Sequence, residues 1–96
     1  MPNRLAVVIP CLDEAVNLPR LLGRLHEEGV DLVVVVDGGS EDDSCEIATA
    51  AGADLCHAKR GRGLQLQIGA ARAIELGAEQ MSVLSRRVHE PVDLLA

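Results

Sequence analysis

The chain has 96 residues, with 15 acidic and nine basic side chains and a formal net charge of −6. This length predicts one small domain, residues 1–96. The absence of Phe, Tyr and Trp predicts a core of small aliphatic residues and argues against nucleic-acid recognition by base stacking. Residues 1–56 carry eleven acidic and three basic side chains, a balance unsuited to phosphate backbones, so nucleic acid is not an expected partner.

The cysteines, Cys11, Cys45 and Cys56, form no CxxC pair and show no spacing typical of a zinc site. Free buried thiols are therefore the predicted state. The sequence shows no signal peptide and no apolar run near the length of a membrane span. We accordingly expect a cytoplasmic protein without a membrane span.

The apolar pattern predicts three strands, each followed by a helix. The predicted strands are residues 4–10, 31–36 and 53–57, and the predicted helices are residues 17–29, 41–51 and 64–76. Asn17 or a neighbour would cap the first helix, and Pro19 lies in its first turn. The first helix carries an apolar stripe of Leu18, Leu21, Leu22 and Leu25, and the third helix carries one of Leu64, Ile68, Ala71 and Ile74.

This alternation predicts an α/β fold, a Rossmann-like three-layer αβα arrangement with a small, mostly parallel sheet of three to four strands. Residues 4–77 would form the βαβαβα core. Residues 81–84 could add a fourth strand, and residues 78–96 are interpreted as a divergent strand followed by a tail or oligomerisation arm.

The stretch from Val33 to Ser40 has the strongest pattern in the chain. Its four valines predict a strand buried on both faces, and Asp37 follows at the carboxyl end, where open α/β sheets bind ligands. Gly38 and Gly39 would permit a tight turn and close approach to a ligand. Ser40 with Asp43 resembles a helix capping box. The alternative is an ordinary turn with Asp37 at the surface.

Two further groups follow the other strand ends. Glu14, just after the first strand, would open onto the same crevice as Asp37, or else serve as a helix-entry acid. Residues 41–43 are three acids interpreted as the first turn of the second helix, where they would repel a diphosphate. Arg60 and Arg62 could neutralise a diphosphate after the third strand, or else belong to a solvated basic loop.

The histidines, His26, His57 and His89, are isolated in the sequence and have no partner at ligand spacing. His26 is expected to be exposed near the end of the first helix. No Ser/His/Asp or Cys/His catalytic arrangement follows from the sequence, so the catalytic residues stay unassigned and no metal ligands are predicted.

Three stretches together resemble family 2 glycosyltransferases, which have the GT-A fold. They are VIPCLDE at residues 8–14, VVDGGS at 35–40 and RGRGLQLQIGA at 60–70, and the VDGGS and RGRxxQ forms are similar to a bacterial subgroup linked to arsenosugar-type biosynthesis. Two small departures are Asp13, where the family usually has Asn, and Gln67, where the third helix of the family usually begins N-x-G.

The resemblance implies a site for a nucleotide-diphosphate sugar. By that resemblance the nucleotide-sugar-binding residues are Pro10, Glu14, Asp37, Gly38, Arg60 and Arg62. Pro10 and Glu14 would line the nucleoside pocket, and Asp37 would bond the base. Arg60 or Arg62 would approach the diphosphate.

One departure from the family is large. The family continues with a D-x-D motif that holds Mg²⁺ or Mn²⁺, whereas this chain has Ser85, Arg86 and Arg87 there, so no cofactor is expected in this chain. The chain is thus interpreted as the nucleotide-sugar-binding part of a glycosyltransferase, truncated before the metal motif and the acceptor half, and its enzymatic status stays open. The alternative is a non-catalytic nucleotide-binding or assembly module that forms a homo-oligomer through an exposed sheet edge or the tail.

Overall fold

The computed structural model describes residues 4–84 and 91–93. Five strands and three helices follow in the order β1 (Leu5–Cys11), α1 (Leu18–Glu27), β2 (Leu32–Asp37), α2 (Ser44–Ala50), β3 (Asp54–His57), α3 (Arg62–Glu75), β4 (Gln80–Leu84) and β5 (Pro91–Asp93). None of the helices in these residues is long and apolar enough to cross a membrane.

The strands form one sheet in the order β3-β2-β1-β4-β5. The first four are parallel, which confirms the predicted α/β fold and the fourth strand at residues 81–84. β5 pairs antiparallel with β4, opposite Ser82 to Leu84. The assembly alternative assumes a sheet edge left exposed by a missing fourth strand. That assumption is wrong, because β4 pairs with β1 and is itself followed by β5. The rest of the expected tail, residues 85–90 and 94–96, lies outside the described residues.

Alternate residues of the central strands face opposite layers, as the pleat of a strand requires. Val7, Ile9 and Val35 pack with α1 and α2 on one face. Val8 and Val36 pack with α3 on the other face. The runs of consecutive apolar residues in β1 and β2 follow from this arrangement, since both faces are covered.

The leucine stripe of α1 packs on the sheet as predicted. Leu18, Leu22 and Leu25 are buried, and Leu21 is partly buried against the same cluster. Pro19 lies in the first turn, where its missing N–H has no intrahelical partner to lose. Asn17 occupies the N-cap position without a capping bond from its side chain.

The predicted apolar face of α3 is wrong for three of its four residues, and only Ile68 packs against the core. Leu64 is 41% exposed and Ile74 is 64% exposed, and Ala71 is also exposed. The residues that face the sheet are instead spaced four apart and are small or polar: Gln65, Gly69 and Ala73.

Gly69 explains this choice of face. A Cβ built on Gly69 would overlap Cγ1 of Val8 and lie 2.9 Å from Cγ2 of Val36, closer than side chains tolerate. The backbone of α3 therefore rests directly on the valines of the sheet. Hydrophobic periodicity considers apolar side chains only, and glycine has none. The sequence pattern therefore predicted a different face of α3, the neighbouring apolar stripe.

The second helix begins later than predicted, at Ser44. The capping box of Ser40 and Asp43 is therefore wrong. The Ser40 hydroxyl donates to Asp37 Oδ1 and is not available to cap a helix. Asp43 occupies the N-cap position, but its side chain makes no capping bond.

Candidate functional site

The candidate site lies at the carboxyl edge of the parallel sheet, where the loops after β1, β2 and β3 meet. The strand register aligns Cys11 with Asp37 and Asp37 with His57, so the three strands end side by side. Such an edge is where open α/β sheets bind ligands. Asp37 lies at its centre.

Asp37 organises the loop that follows its own strand. Its Oδ2 accepts hydrogen bonds from the backbone N–H groups of Gly39 (2.9 Å) and Ser40 (2.8 Å), and its Oδ1 accepts one from the Ser40 hydroxyl. The residue is only 3% exposed, so the alternative of a surface turn residue is wrong. A carboxylate has about four acceptor positions, and the thiol of Cys45 donates a further side-chain hydrogen bond to this one.

The pKa of Asp37 lies below its ordinary value. Burial acts to raise the pKa, but the bonds from the Ser40 hydroxyl and from the backbone N–H groups of Ser40 and Gly39 outweigh it. Hydrogen bonds to the ionised form favour that form. Asp37 is accordingly a fixed negative charge at the sheet edge.

The loops after β1 and β2 are joined by reciprocal hydrogen bonds. The Asp13 N–H donates to Ser40 Oγ at 2.9 Å, and the Glu41 N–H donates to Asp13 Oδ1 at 2.7 Å. Asp13 has a φ of 52°, in the left-handed region that Asn and Asp tolerate best among residues with a side chain. Asp13 therefore combines an unusual backbone conformation with an acceptor for the neighbouring loop.

A second set of bonds lies beside the first. Ser44 Oγ accepts from the Glu14 N–H at 2.9 Å, and Asp42 Oδ2 accepts from the Ala15 N–H at 3.0 Å. Asp42 Oδ1 also accepts from the N–H (2.9 Å) and the hydroxyl (2.5 Å) of Ser44. The acids at 41–43 thus precede α2, rather than forming the first turn of the helix as predicted, and Asp42 and the Glu41 N–H join two loops.

Pro10 and Glu14 share a cleft of about 100 Å³ beside α1. Asn17, Arg20 and Leu84 also line it. The Glu14 Oε1 accepts a hydrogen bond from the Asn17 amide at 3.3 Å. The structure therefore brings Pro10 and Glu14 together, next to a guanidinium that sequence reasoning did not assign to the site.

Gln65 is the glutamine of the RGRxxQ form, and the sequence analysis assigned it no role in the site. It is 5% exposed, and its Nε2 donates to the carbonyl oxygens of Val36 (2.9 Å) and Cys11 (3.1 Å). A Cβ on Gly38 would lie 2.9 Å from the same Nε2, so glycine leaves room for this amide. One feature of the sequence could have indicated its position: Gln65, Gly69 and Ala73 are spaced four apart and so lie on the same face of the helix.

The basic loop begins next to Asp37. The Ala58 N–H donates to the carbonyl oxygen of Asp37 at 2.9 Å. Arg60 and Arg62 are exposed, and within residues 4–84 neither forms an ion pair. Gly61 between them has a φ of 147°, which requires glycine. The loop that carries the two arginines is thus attached to Asp37 at its first residue, and both arginines are exposed to solvent.

α3 begins directly after this loop without a capping side chain. Gly61 is its N-cap residue, and the first turn contains no acidic residue. The first N–H groups of a helix have no intrahelical partner and carry partial positive charge. They therefore add to the positive potential of Arg60 and Arg62.

The three cysteines are free thiols, as predicted, but only Cys11 is fully buried. Burial raises the pKa of Cys11 and of Cys56, and it raises that of Cys45 to about 11 together with the nearby Asp37 charge. The prediction for His26 is confirmed, since it is exposed near the end of α1. The prediction that His57 has no partner at ligand spacing is wrong: one of its ring nitrogens lies within 4.8 Å of Asp37 and Cys45, and the β2–β3 register pairs it with Asp37.

The D-x-D metal position of the resembling family has no counterpart in the described part of β4. Gln80 to Leu84 offer no carboxylate, and Arg86 and Arg87 lie outside the described residues. A hard divalent cation needs several oxygen ligands, which these strand residues do not supply. The described residues of β4 therefore do not fit that metal.

The sheet order and the three helices of the described residues match part of the Rossmann-like α/β fold of the GT-A type. The chain matches crystal structures of glucosyl-3-phosphoglycerate synthase from Mycobacterium tuberculosis. In the complex with Mn²⁺, uridine diphosphate and glucosyl-3-phosphoglycerate, the TM-score is 0.75 at 22% identity over 86% of this chain and 33% of that one. The complex with Mn²⁺, UDP-glucose and phosphoglyceric acid gives the same values.

One curated relative is the uncharacterised protein MJ1222 of Methanocaldococcus jannaschii, 36% identical over 67 residues. That match covers 70% of this chain and 28% of the relative. No family model matches the chain. The chain thus spans about a third or less of the proteins it is similar to, and the part it shares with the solved structures is the fold described above.

Proposed function

We propose that the chain binds a nucleoside diphosphate sugar at the carboxyl edge of its sheet, as the donor-binding part of a family 2-like glycosyltransferase. One observation carries the proposal. The loops after β1 and β2 are joined through Asp13 and Ser40, and the basic loop begins with the Ala58–Asp37 bond. Acceptors for a nucleoside and cations for a diphosphate are thereby held along one edge.

The nucleoside would lie over the strand ends of β1 and β2. Pro10 and Glu14 provide an apolar ring and a carboxylate in one cleft. Asp37 is an ionised acceptor at the same edge, and an imide or amine N–H of a base would bond it in place of the Cys45 thiol. Gly38 is buried beside Asp37 and presents only backbone to a ligand.

The diphosphate would lie at the start of α3. Arg60 and Arg62 stay charged at any physiological pH, and guanidinium groups bind phosphate oxygens in pairs. The uncapped N-terminus of a 14-residue helix favours an anion at the same point. Charge neutralisation by these groups would not require the divalent cation for which β4 has no ligands.

The similar structures support this assignment through their bound molecules, which include uridine diphosphate and UDP-glucose. We therefore expect a uracil nucleotide to bind in preference to a guanine nucleotide. Transfer of the sugar to an acceptor would involve regions that this chain does not share with those proteins, and no catalytic residue is assigned here.

Isothermal titration of the full chain with UDP, UDP-glucose and GDP tests the proposal. The matched pair of variants is Arg60→Gln with Arg62→Gln, against Arg4→Gln at the opposite edge of the sheet. We expect UDP binding by the wild type and the Arg4 variant, and a loss of at least about tenfold in the double variant, since hydrogen bonds to charged groups contribute about 1.5–3 kcal/mol each.

Two results would contradict the proposal. One is the absence of heat or stabilisation with every nucleotide at millimolar concentration. The other is equal affinity in the Arg60/Arg62 double variant and the Arg4 variant. Addition of Mn²⁺ is expected to leave UDP affinity within about twofold, because the described residues of β4 carry no ligand for it.

We infer as a second candidate an assembly module without catalysis. Within the described residues no strand pairs with the outer edge of β3, and unpaired edges invite pairing with another chain. Its expected partner is a second copy of this chain, through β3 or the tail. Light scattering at micromolar concentration tests it, and a monomer mass would exclude the homo-oligomer.

A further inference from the structure

Three side chains with different donor atoms converge at the end of β2, on the α2 side of the sheet. One carboxylate oxygen of Asp37, Sγ of Cys45 and one ring nitrogen of His57 all lie within 4.8 Å of one another. Asp37 is buried, Cys45 is partly buried and His57 is exposed. The cluster therefore has a closed side within the protein and an open side toward solvent.

The fold fixes two of these residues by strand pairing. Asp37 and His57 are direct partners in the parallel β2–β3 register. Aligned residues of neighbouring strands project to the same face of a sheet. Cys45 then approaches from α2, which packs against that face and begins at Ser44.

The hydrogen bonds of Asp37 hold its carboxylate in place. Three acceptor positions of the carboxylate are occupied by the Gly39 N–H, the Ser40 N–H and the Ser40 hydroxyl. The thiol of Cys45 also donates a hydrogen bond to the carboxylate. A metal ion would take the place of that thiol proton, which would leave as Cys45 becomes a thiolate. One proton is released for each ion bound.

We propose that Asp37, Cys45 and His57 form a binding site for one zinc-class divalent cation, with a fourth position open to solvent. Ligand atoms at about 2.0–2.3 Å from a tetrahedral zinc ion lie about 3.3–3.8 Å apart, so the cluster needs an inward shift of only about 1 Å. Cys, His and carboxylate are all zinc ligands, and three protein ligands with one open position is an arrangement that zinc adopts.

The three donor atoms (oxygen, sulfur and nitrogen) also indicate which cations the site would not bind. Mg²⁺ and Mn²⁺ prefer oxygen ligands, and this cluster offers one carboxylate, one sulfur and one nitrogen. The site therefore differs in chemistry from a cation site built to hold a diphosphate. The argument for this site does not rest on the proposed function, but both sites use the Asp37 carboxylate, so a bound ion would compete with a base.

Cobalt titration of the full chain tests the site directly. Because the chain has no Trp or Tyr, its near-ultraviolet spectrum is nearly empty, and a sulfur-to-cobalt charge-transfer band is easily seen. We expect a band that saturates at one Co²⁺ per chain, is displaced by Zn²⁺ and is unaffected by millimolar Mg²⁺. The titration uses no nucleotide, so its outcome does not depend on the nucleotide site.

Variants identify the ligands. Cys45→Ser should abolish the band, and His57→Gln should weaken Co²⁺ affinity by at least about 100-fold, since even indirect partners of a metal contribute about 10–100-fold. Cys56→Ser and His26→Gln are the matched controls and should bind as the wild type does. Circular dichroism checks the folding of each variant.

His57 is exposed, so His57→Gln is expected to fold even if the Cys45 variant does not. Unchanged affinity in His57→Gln would overturn the proposal, as would loss of the band in Cys56→Ser. The absence of any band at one equivalent of Co²⁺ with micromolar protein would overturn it as well.

Discussion

Gln65, in the first turn of α3, donates its side-chain amide to the carbonyl oxygen of Val36 at 2.9 Å. This bond attaches the helix to the strand at the residue immediately before Asp37. The same amide nitrogen also reaches the carbonyl oxygen of Cys11, so one side chain joins α3 to both β1 and β2. A buried polar residue here positions the edge on which the candidate nucleotide site depends.

Replacement of Gln65 should therefore destabilise the fold. Gln65→Ala removes two hydrogen bonds in a buried setting, with an expected cost of about 1–3 kcal/mol in the free energy of unfolding. Urea unfolding followed by far-ultraviolet circular dichroism measures this, since the chain lacks fluorescent aromatic residues. Gln67→Ala, exposed on the same helix, should change the free energy by less than about 0.5 kcal/mol. Equal midpoints for the two variants would contradict the assignment.

Two glycines of α3 should respond oppositely to alanine. At Gly69 the new methyl group would collide with Val8 and Val36, and overpacking costs about 1–3 kcal/mol. At Gly63 nothing lies within 4 Å, and alanine should stabilise the helix by up to about 1 kcal/mol. Chemical unfolding of both variants gives the comparison. A stabilised Gly69→Ala variant would show that α3 does not rest on the valines.

Low pH should remove the contribution of Asp37 to the free energy of unfolding. Its pKa is lower in the folded chain than in the unfolded chain, so unfolding takes up a proton between the two pKa values. The stabilisation is thus complete above about pH 4, near the unfolded pKa, and is lost as the pH falls through the folded value. Unfolding free energies of wild type and Asp37→Asn should differ by a constant amount from pH 5 to 7 and converge below about pH 4. A constant difference down to pH 2 would exclude this linkage.

Two ion pairs should contribute differently to the stability of the fold. Arg72 donates to both oxygens of Asp54, at 2.8 and 3.0 Å, and this pairing lowers the pKa of Asp54. Arg24 and Glu28 are 3.7 Å apart on the exposed face of α1. Asp54→Asn should lower the thermal midpoint measurably, whereas Glu28→Gln should cost less than about 0.5 kcal/mol. The prediction fails if both variants melt with the wild type.

The thiols should react slowly in the folded chain. A pKa of about 11 for Cys45 leaves about 100-fold less thiolate at pH 8 than an ordinary thiol has. Alkylation by iodoacetamide, followed by mass spectrometry, should therefore be at least about 100-fold slower at Cys45 than in urea. Labelling of native Cys45 at the unfolded rate would contradict its burial beside Asp37. Metal must be removed beforehand with a chelator.

Much of the edge could be predicted from the sequence. The valine run before Asp37 indicates a strand buried on both faces, and the loops after parallel strands necessarily share one edge. The first helix was also predictable, because its leucines repeat at helical spacing and their burial supplies the packing energy. These features depend on local patterns alone.

Other features depend on contacts between distant residues. The position of Gln65 follows from Gly69, where a missing side chain lets the helix approach the sheet. Ser40 was expected to cap a helix but bonds Asp37, because α2 begins at Ser44. His57 seemed isolated in the sequence, yet strand register places it beside Asp37. Periodicity describes one element at a time and contains no information on such pairings.

The close packing of α3 on the sheet limits which parts of the site can move. Since Gly69 leaves no gap above Val8 and Val36, the helix can neither slide nor roll without opening the core. Rearrangement at the basic end of the site is thus confined to residues 58–61, a short hinge held at one end by the Asp37 carbonyl and released at the other by Gly61. Local hydrogen exchange should be fastest in that hinge and slow along the buried line of α3.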